Sequence, residues 1–143
     1  MDIKIKKLNE NAVIPFYASK NAVGMDLTAT SKKWDDNSQV WDYGFGLAME
    51  IPEGYGGFIF PRSSVYKSGL SLSNCVGVID PDYRGEISAK FREVNWKNEN
   101  SRYEVGDRIA QIIFIETTKV NFVEVDELSN TERGEGGHGS TGR

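Results

Sequence analysis

Residues 77–85 read Gly77-Val78-Ile79-Asp80-Pro81-Asp82-Tyr83-Arg84-Gly85, and the reading of the whole chain turns on this stretch. Val76, Val78 and Ile79 lead in and Ile87 leads out, which predicts a β-hairpin with its tip at Asp80-Pro81-Asp82-Tyr83. Proline presets φ, aspartate closes its own turn and glycine accepts a positive φ, so a turn alone explains Pro81, Asp82 and Gly85. It does not call for Tyr83 and Arg84. Two carboxylates, a phenol and a guanidinium on one tight turn make a candidate site.

Working outward, the same two-residue period recurs. Ile3 and Ile5 alternate with Lys4 and Lys6, and residues 26–29, 46–51, 57–60 and 120–125 are predicted as strands. The run 109–115 is apolar on both faces except at Gln111, which predicts a strand covered on both sides, either central in its sheet or at a subunit interface. Only residues 63–69 read as helix, a turn or two long, with serine as N-cap and Gly69 as the stop. Many short strands with frequent turn signals predict an all-β sandwich or barrel.

At 143 residues the chain is one domain. The composition changes after Leu128. Residues 133–143 hold no apolar anchor and are expected to be mobile, yet two arginines, a histidine and two hydroxyls among glycines could wrap phosphate oxygens. A formal net charge of −4 argues against long nucleic acid as partner, while a small phosphate ester could still be met by a few arginines, backbone N–H groups and a metal ion. No apolar segment follows Met1 and no run approaches a membrane span, so the chain is expected to be soluble and unexported. Cys75 is the only cysteine and lies among apolar residues, so it is expected to be a small buried hydrophobe in a reducing cytoplasm. His138 is the only histidine, which excludes a His-based zinc set or a Ser-His-Asp triad.

Two further segments carry chemistry. Pro61-Arg62-Ser63-Ser64 enters the short helix and could face an anion, or could simply be a serine cap beside a solvated arginine. In Gly106-Asp107-Arg108-Ile109-Ala110-Gln111 the lone polar Gln111 needs partners. A structural reading has it satisfied by backbone, Asp107 capping the turn and Arg108 paired with a carboxylate.

Five segments, Gly24-Met25-Asp26-Leu27, Pro61-Arg62-Ser63-Ser64, residues 74–86, residues 106–111 and residues 133–142, resemble the five ordered motifs of the homotrimeric dUTPase family. The resemblance spans nearly the whole chain. It implies a jelly-roll-like β domain over residues 1–128 with a glycine-rich arm, 129–143, that closes over the nucleotide, and three active sites each shared between chains of a homotrimer. The implied activity is hydrolysis of dUTP to dUMP and pyrophosphate with Mg²⁺. Asp80 would be the general base, with Arg62 and Gln111 at the phosphates and Asp26 meeting the metal through water. Asn74, Gly77 and Ser88 would read uracil, and Tyr83 would lie against the deoxyribose and leave no room for a 2'-hydroxyl. Ser63 and Ser64 would hold phosphates, Arg133, Gly139, Ser140 and Thr141 would close over the γ-phosphate, and His138 would cover the base.

Three departures stand out. His138 stands where phenylalanine is usual, and an imidazole, which titrates at roughly pH 6.5, would make closure pH-sensitive. Met25 replaces an aromatic residue, and residues 31–43 lack the usual Pro-Gly-Glu turn and are expected to form a variant loop. Alternatives are a regulatory protein that uses the nucleotide-ordered arm as a switch for a protein partner, and dCTP deaminase. For the deaminase, Ser88-Ala89-Lys90 supplies no catalytic glutamate.

Overall fold

The computed structural model describes residues 1–94 and 102–137. Its strands are β1 (Lys4–Lys7), β2 (Met25–Thr28), β3 (Lys33–Asp35), β4 (Val40–Gly44), β5 (Leu47–Glu50), β6 (Tyr55–Pro61), β7 (Leu70–Leu72), β8 (Gly77–Ile79), β9 (Ser88–Glu93) and β10 (Arg108–Glu116). One sheet has the order β2-β10-β6-β8, a second has β3-β4-β9-β7, and β1 pairs with β5. Every described ladder is antiparallel. The inward residues of the two large sheets meet in one core: Leu27, Ile59, Ala110 and Ile112 from the first, Tyr43, Leu72, Ala89 and Phe91 from the second. This is an all-β sandwich of the jelly-roll kind, as predicted.

The apolar run at 109–115 is a central strand, paired with β2 on one side and β6 on the other. Its ladder with β2 is irregular between Arg108 and Ala110. That bulge lets the consecutive residues Ile109 and Ala110 both point inward, each fully buried. Its far end is less covered than expected, since Ile115 is exposed.

Five expectations are corrected. The arms of the predicted hairpin are not paired with each other: β8 joins β6 in one sheet and β9 joins β4 and β7 in the other, so residues 80–87 bridge two layers. The helical piece is a 3₁₀ turn, Ser63–Lys67, whose N-cap is Arg62 with no side-chain cap bond. Ser68 closes its C-terminal end instead, donating to Val65 O and accepting from Leu70 N. Cys75 is exposed, with φ of +61°, because it lies at the corner between β7 and β8 rather than in a strand. Residues 120–125 form no strand among the described contacts, where no described sheet edge pairs with them, and Phe122 is 96% exposed. Residues 31–43, expected as a loop, contain the β3–β4 hairpin, in which Trp34 faces Trp41 at 5.1 Å.

Tyr43 is fully buried and its hydroxyl donates to the Tyr103 carbonyl at 3.0 Å. Burial pushes the pKa of this phenol well above its ordinary value. The folded state therefore keeps a proton that the unfolded chain loses near pH 10, and this contribution to stability falls as pH rises beyond that. Thermal melts between pH 9 and 11 are expected to show a declining Tm whose slope is shallower in Tyr43→Phe.

Candidate functional site

The loop from Asp80 to Ile87 is braced from within. Tyr83 N donates to Asp80 O at 3.2 Å, which closes the predicted turn at Asp80-Pro81-Asp82-Tyr83. The Tyr83 hydroxyl donates to Glu86 O at 3.0 Å, and Arg84 donates to Pro81 O at 2.6 Å and Tyr83 O at 3.1 Å. The Tyr83 ring lies so close over Gly85 that a Cβ there would collide with it. Glu86 anchors the loop to the body by accepting from Gly46 N at 2.8 Å. Arg84 thus has a loop-closing task that the sequence did not disclose, and so has Glu86.

The divergence of β8 from β9 opens a cleft. One compartment of about 270 Å³ is lined by Asn74, Gly77 and Ser88 together with Ile59, Leu72 and Ser73. A second of about 210 Å³ is lined by Val78, Asp80, Tyr83 and Glu86, and shares Ser88 with the first. β8 is the last strand of its sheet, so the backbone N–H and C=O groups of its outer edge have no ladder partner among the described residues. Nor has the Asp80 carboxylate a hydrogen-bond or ion-pair partner among them. The fold therefore brings Asn74, Gly77, Asp80, Tyr83 and Ser88 together.

A second cluster lies on the outer face of the first sheet. Asp26 and Gln111 are opposite one another in the β2–β10 register. Asp26 Oδ1 accepts from Arg62 Nε at 2.9 Å and Asp26 Oδ2 from an Arg108 guanidinium nitrogen at 2.9 Å. Arg62 also donates to Arg108 O at 3.3 Å, and Gln111 Nε2 donates to Pro61 O at 3.1 Å. Asp107 caps its turn by accepting from Glu104 N at 2.7 Å. The structural partners expected for Gln111, Asp107 and Arg108 are all present. A Cβ at Gly24 would lie 2.5 Å from Gln111 Oε1, so a larger residue there would displace the Gln111 side chain. Sequence reasoning gave Arg108 no site role, and its position within the fourth motif was the available signal.

Asp80 and Arg62, one from each cluster, are far apart within one chain. β8 runs antiparallel to β6 with Ile79 opposite Gly57, whereas Arg62 follows the other end of β6. Five residues of strand, about 17 Å, separate the Asp80 end from the Arg62 end, beyond the reach of a guanidinium. Of the arm, Arg133 is exposed and its Nε donates to Gly136 O at 2.8 Å. His138, Gly139, Ser140 and Thr141 lie outside the described residues.

Among the described residues no group of three His, Cys, Asp or Glu side chains could hold a metal ion. Asp26, with a single carboxylate beside two arginines, fits a cation that arrives on phosphate oxygens with most of its water shell, and does not fit a protein cage.

A family model described as dUTPase matches residues 10–142. The chain is 44% identical to the deoxyuridine 5'-triphosphate nucleotidohydrolase of Nautilia profundicola over the full length of both. It is 43% identical to that of Yarrowia lipolytica, with 99% of this chain and 90% of the relative covered. Among solved structures, the dUTPase of Staphylococcus bacteriophage 80alpha with dUPNHPP superposes with a TM-score of 0.79 at 25% identity, covering 99% of both chains. A phage phi11 dUTPase variant, TM-score 0.73 at 21% identity over 89% of this chain and 98% of that one, was solved to show the coordination of a structural Mg(II) ion. The ordered motifs, the sandwich that carries them and these full-length relatives agree: the chain belongs to the dUTPase family.

Proposed function

We propose that the chain hydrolyses dUTP to dUMP and pyrophosphate, with Asp80 taking a proton from the water that attacks the α-phosphorus. The observation that carries this reading is the Asp80 carboxylate, without a partner among the described residues, in a cleft whose other walls are Tyr83, Ser88 and an open strand edge. Uracil presents acceptor, donor, acceptor along its pairing edge, which the N–H and C=O groups of such an edge can match. Cytosine reverses part of that pattern. Tyr83, braced across its own loop, supplies a rigid wall for deoxyribose that leaves no room for a 2'-hydroxyl. Arg62, Ser63, Ser64 and Gln111 supply the donors for phosphate. Mg²⁺ held by the phosphates, with Asp26 on its water shell, would neutralise charge on them. Residues 129–143, with Arg133, His138, Gly139, Ser140 and Thr141, would close over the nucleotide and exclude bulk water.

The distance between the Asp80 and Arg62 clusters supports a site completed by another copy of the chain, in a homotrimer. Two surfaces fit such an assembly. One is the segment with exposed Val120, Phe122, Val123 and Val125, which has a strand pattern and no strand partner. The other is an apolar hollow of about 410 Å³ lined by Ile3, Ile5, Ile14, Val23 and Phe114, beside β1, whose outer edge is unpaired among the described residues.

Anion-exchange separation of the products from dUTP, dCTP, dTTP and UTP tests the reading. dUMP and pyrophosphate are expected from dUTP, with discrimination of about 10⁴ against dCTP, because a wrong base leaves buried polar groups unpaired. Equal turnover of dCTP or UTP would contradict the assignment of the cleft.

A further inference from the structure

We infer that Asp26 is a latch that stores the guanidiniums of Arg62 and Arg108 in the free chain, and that a polyphosphate takes both from it, which makes Arg108 a phosphate-binding residue. This rests on the proposed function only for the identity of the natural ligand as a nucleoside triphosphate.

The start of β10 is irregular. In a regular ladder Arg108 would share the inward face of Ala110. The bulge between Arg108 and Ala110 sends Ile109 inward and turns Arg108 outward, onto the face that carries Gln111 and Asp26. The strand departs from its pairing where that departure delivers a second guanidinium to Asp26.

The charges there do not balance. One carboxylate faces two guanidiniums, leaving a surplus positive charge at one place on a chain whose net charge is −4. The Asp26 side chain is only 14% exposed, whereas those of Arg62 and Arg108 are 30% and 48% exposed and open to an incoming anion. Each guanidinium has five N–H donors, and Arg108 directs a single nitrogen at Asp26. The remaining donors of Arg108 suit a phosphate, whose oxygens accept several charge-assisted bonds at once. Asp26 therefore competes with phosphate for the same donors. A triphosphate, with several charged oxygens, can displace it, and a monophosphate product has less with which to hold the arginines once Asp26 recaptures them. Loss of the arginines would also free the oxygens of Asp26 to meet the metal's water shell.

A structural ion pair and a latch predict opposite effects for one substitution. Binding of inorganic tripolyphosphate, without metal, is measured by titration calorimetry on the full chain. The latch predicts that Asp26→Asn binds about tenfold more tightly, since the competing carboxylate is gone, and that Arg108→Gln binds about tenfold more weakly, the scale of a charge-assisted hydrogen bond. Unchanged or weaker binding by folded Asp26→Asn would overturn the latch. Should Asp26→Asn fail to fold, Arg108→Gln decides alone, and wild-type affinity in that variant would overturn the role of Arg108. Turnover of dUTP by the wild-type chain is read separately. A chain that showed this binding pattern but left dUTP intact would sink the hydrolase reading and support the latch.

Discussion

Asp80→Asn is expected to lower dUTP turnover by about 10²- to 10⁴-fold, the range that a positioned general base supplies. The amide keeps the shape of the side chain and loses its ability to take a proton. The carboxylate has no protein partner among the described residues, so the substitution leaves no orphaned donor behind. The Tm should therefore stay within a degree or two of the wild type, since surface changes of this kind cost at most about 0.5 kcal/mol. Binding of a non-hydrolysable dUTP analogue should be retained, because the proposed reading assigns base and sugar to the β8 edge and Tyr83 rather than to Asp80. Single-turnover kinetics beside analogue binding separates the two effects. A variant that kept wild-type turnover would remove Asp80 from the chemistry.

The second large effect concerns two inactive variants that become active when mixed. Asp80 and Arg62 lie at opposite ends of β6, and on the proposed reading they serve one substrate from different chains. Chains carrying Asp80→Asn and chains carrying Arg62→Gln are each expected to be nearly inactive. In the proposed trimer, co-assembled from equal amounts of both, a site would be whole when its Asp80 comes from an Arg62→Gln chain and its Arg62 from an Asp80→Asn chain. Each condition holds half the time, so about a quarter of wild-type activity should return. No recovery in demonstrably mixed trimers would place both residues in one chain's site and contradict the shared-site reading.

Much of this arrangement was legible in the sequence because it rests on local patterning. The apolar run at 109–115 marked the central strand, since a strand flanked on both edges and covered on its faces has few polar positions. The Asp80-Pro81-Asp82-Tyr83 turn was legible because proline and aspartate act within their own four residues. What escaped depends on partners remote in sequence. The flanks of that turn have strand pattern, but period two does not say which sheet each joins, and β8 and β9 part company. Apolar neighbours suggested burial of Cys75, yet it sits at a corner with positive φ. Residues 120–125 carry a strand's alternation but pair with no described sheet edge, and a sequence pattern does not name a strand's partner. Arg108 could be read only as paired with some carboxylate. Its choice of Asp26, and the bulge that makes that choice possible, are tertiary facts.

The central claim is attack of water on the α-phosphorus, and a single turnover of dUTP in H₂¹⁸O tests it most directly. Mass spectrometry of the products is expected to find the label in dUMP and none in pyrophosphate. Label in pyrophosphate, or release of dUDP and labelled phosphate, would place the attack on another phosphorus and contradict the account.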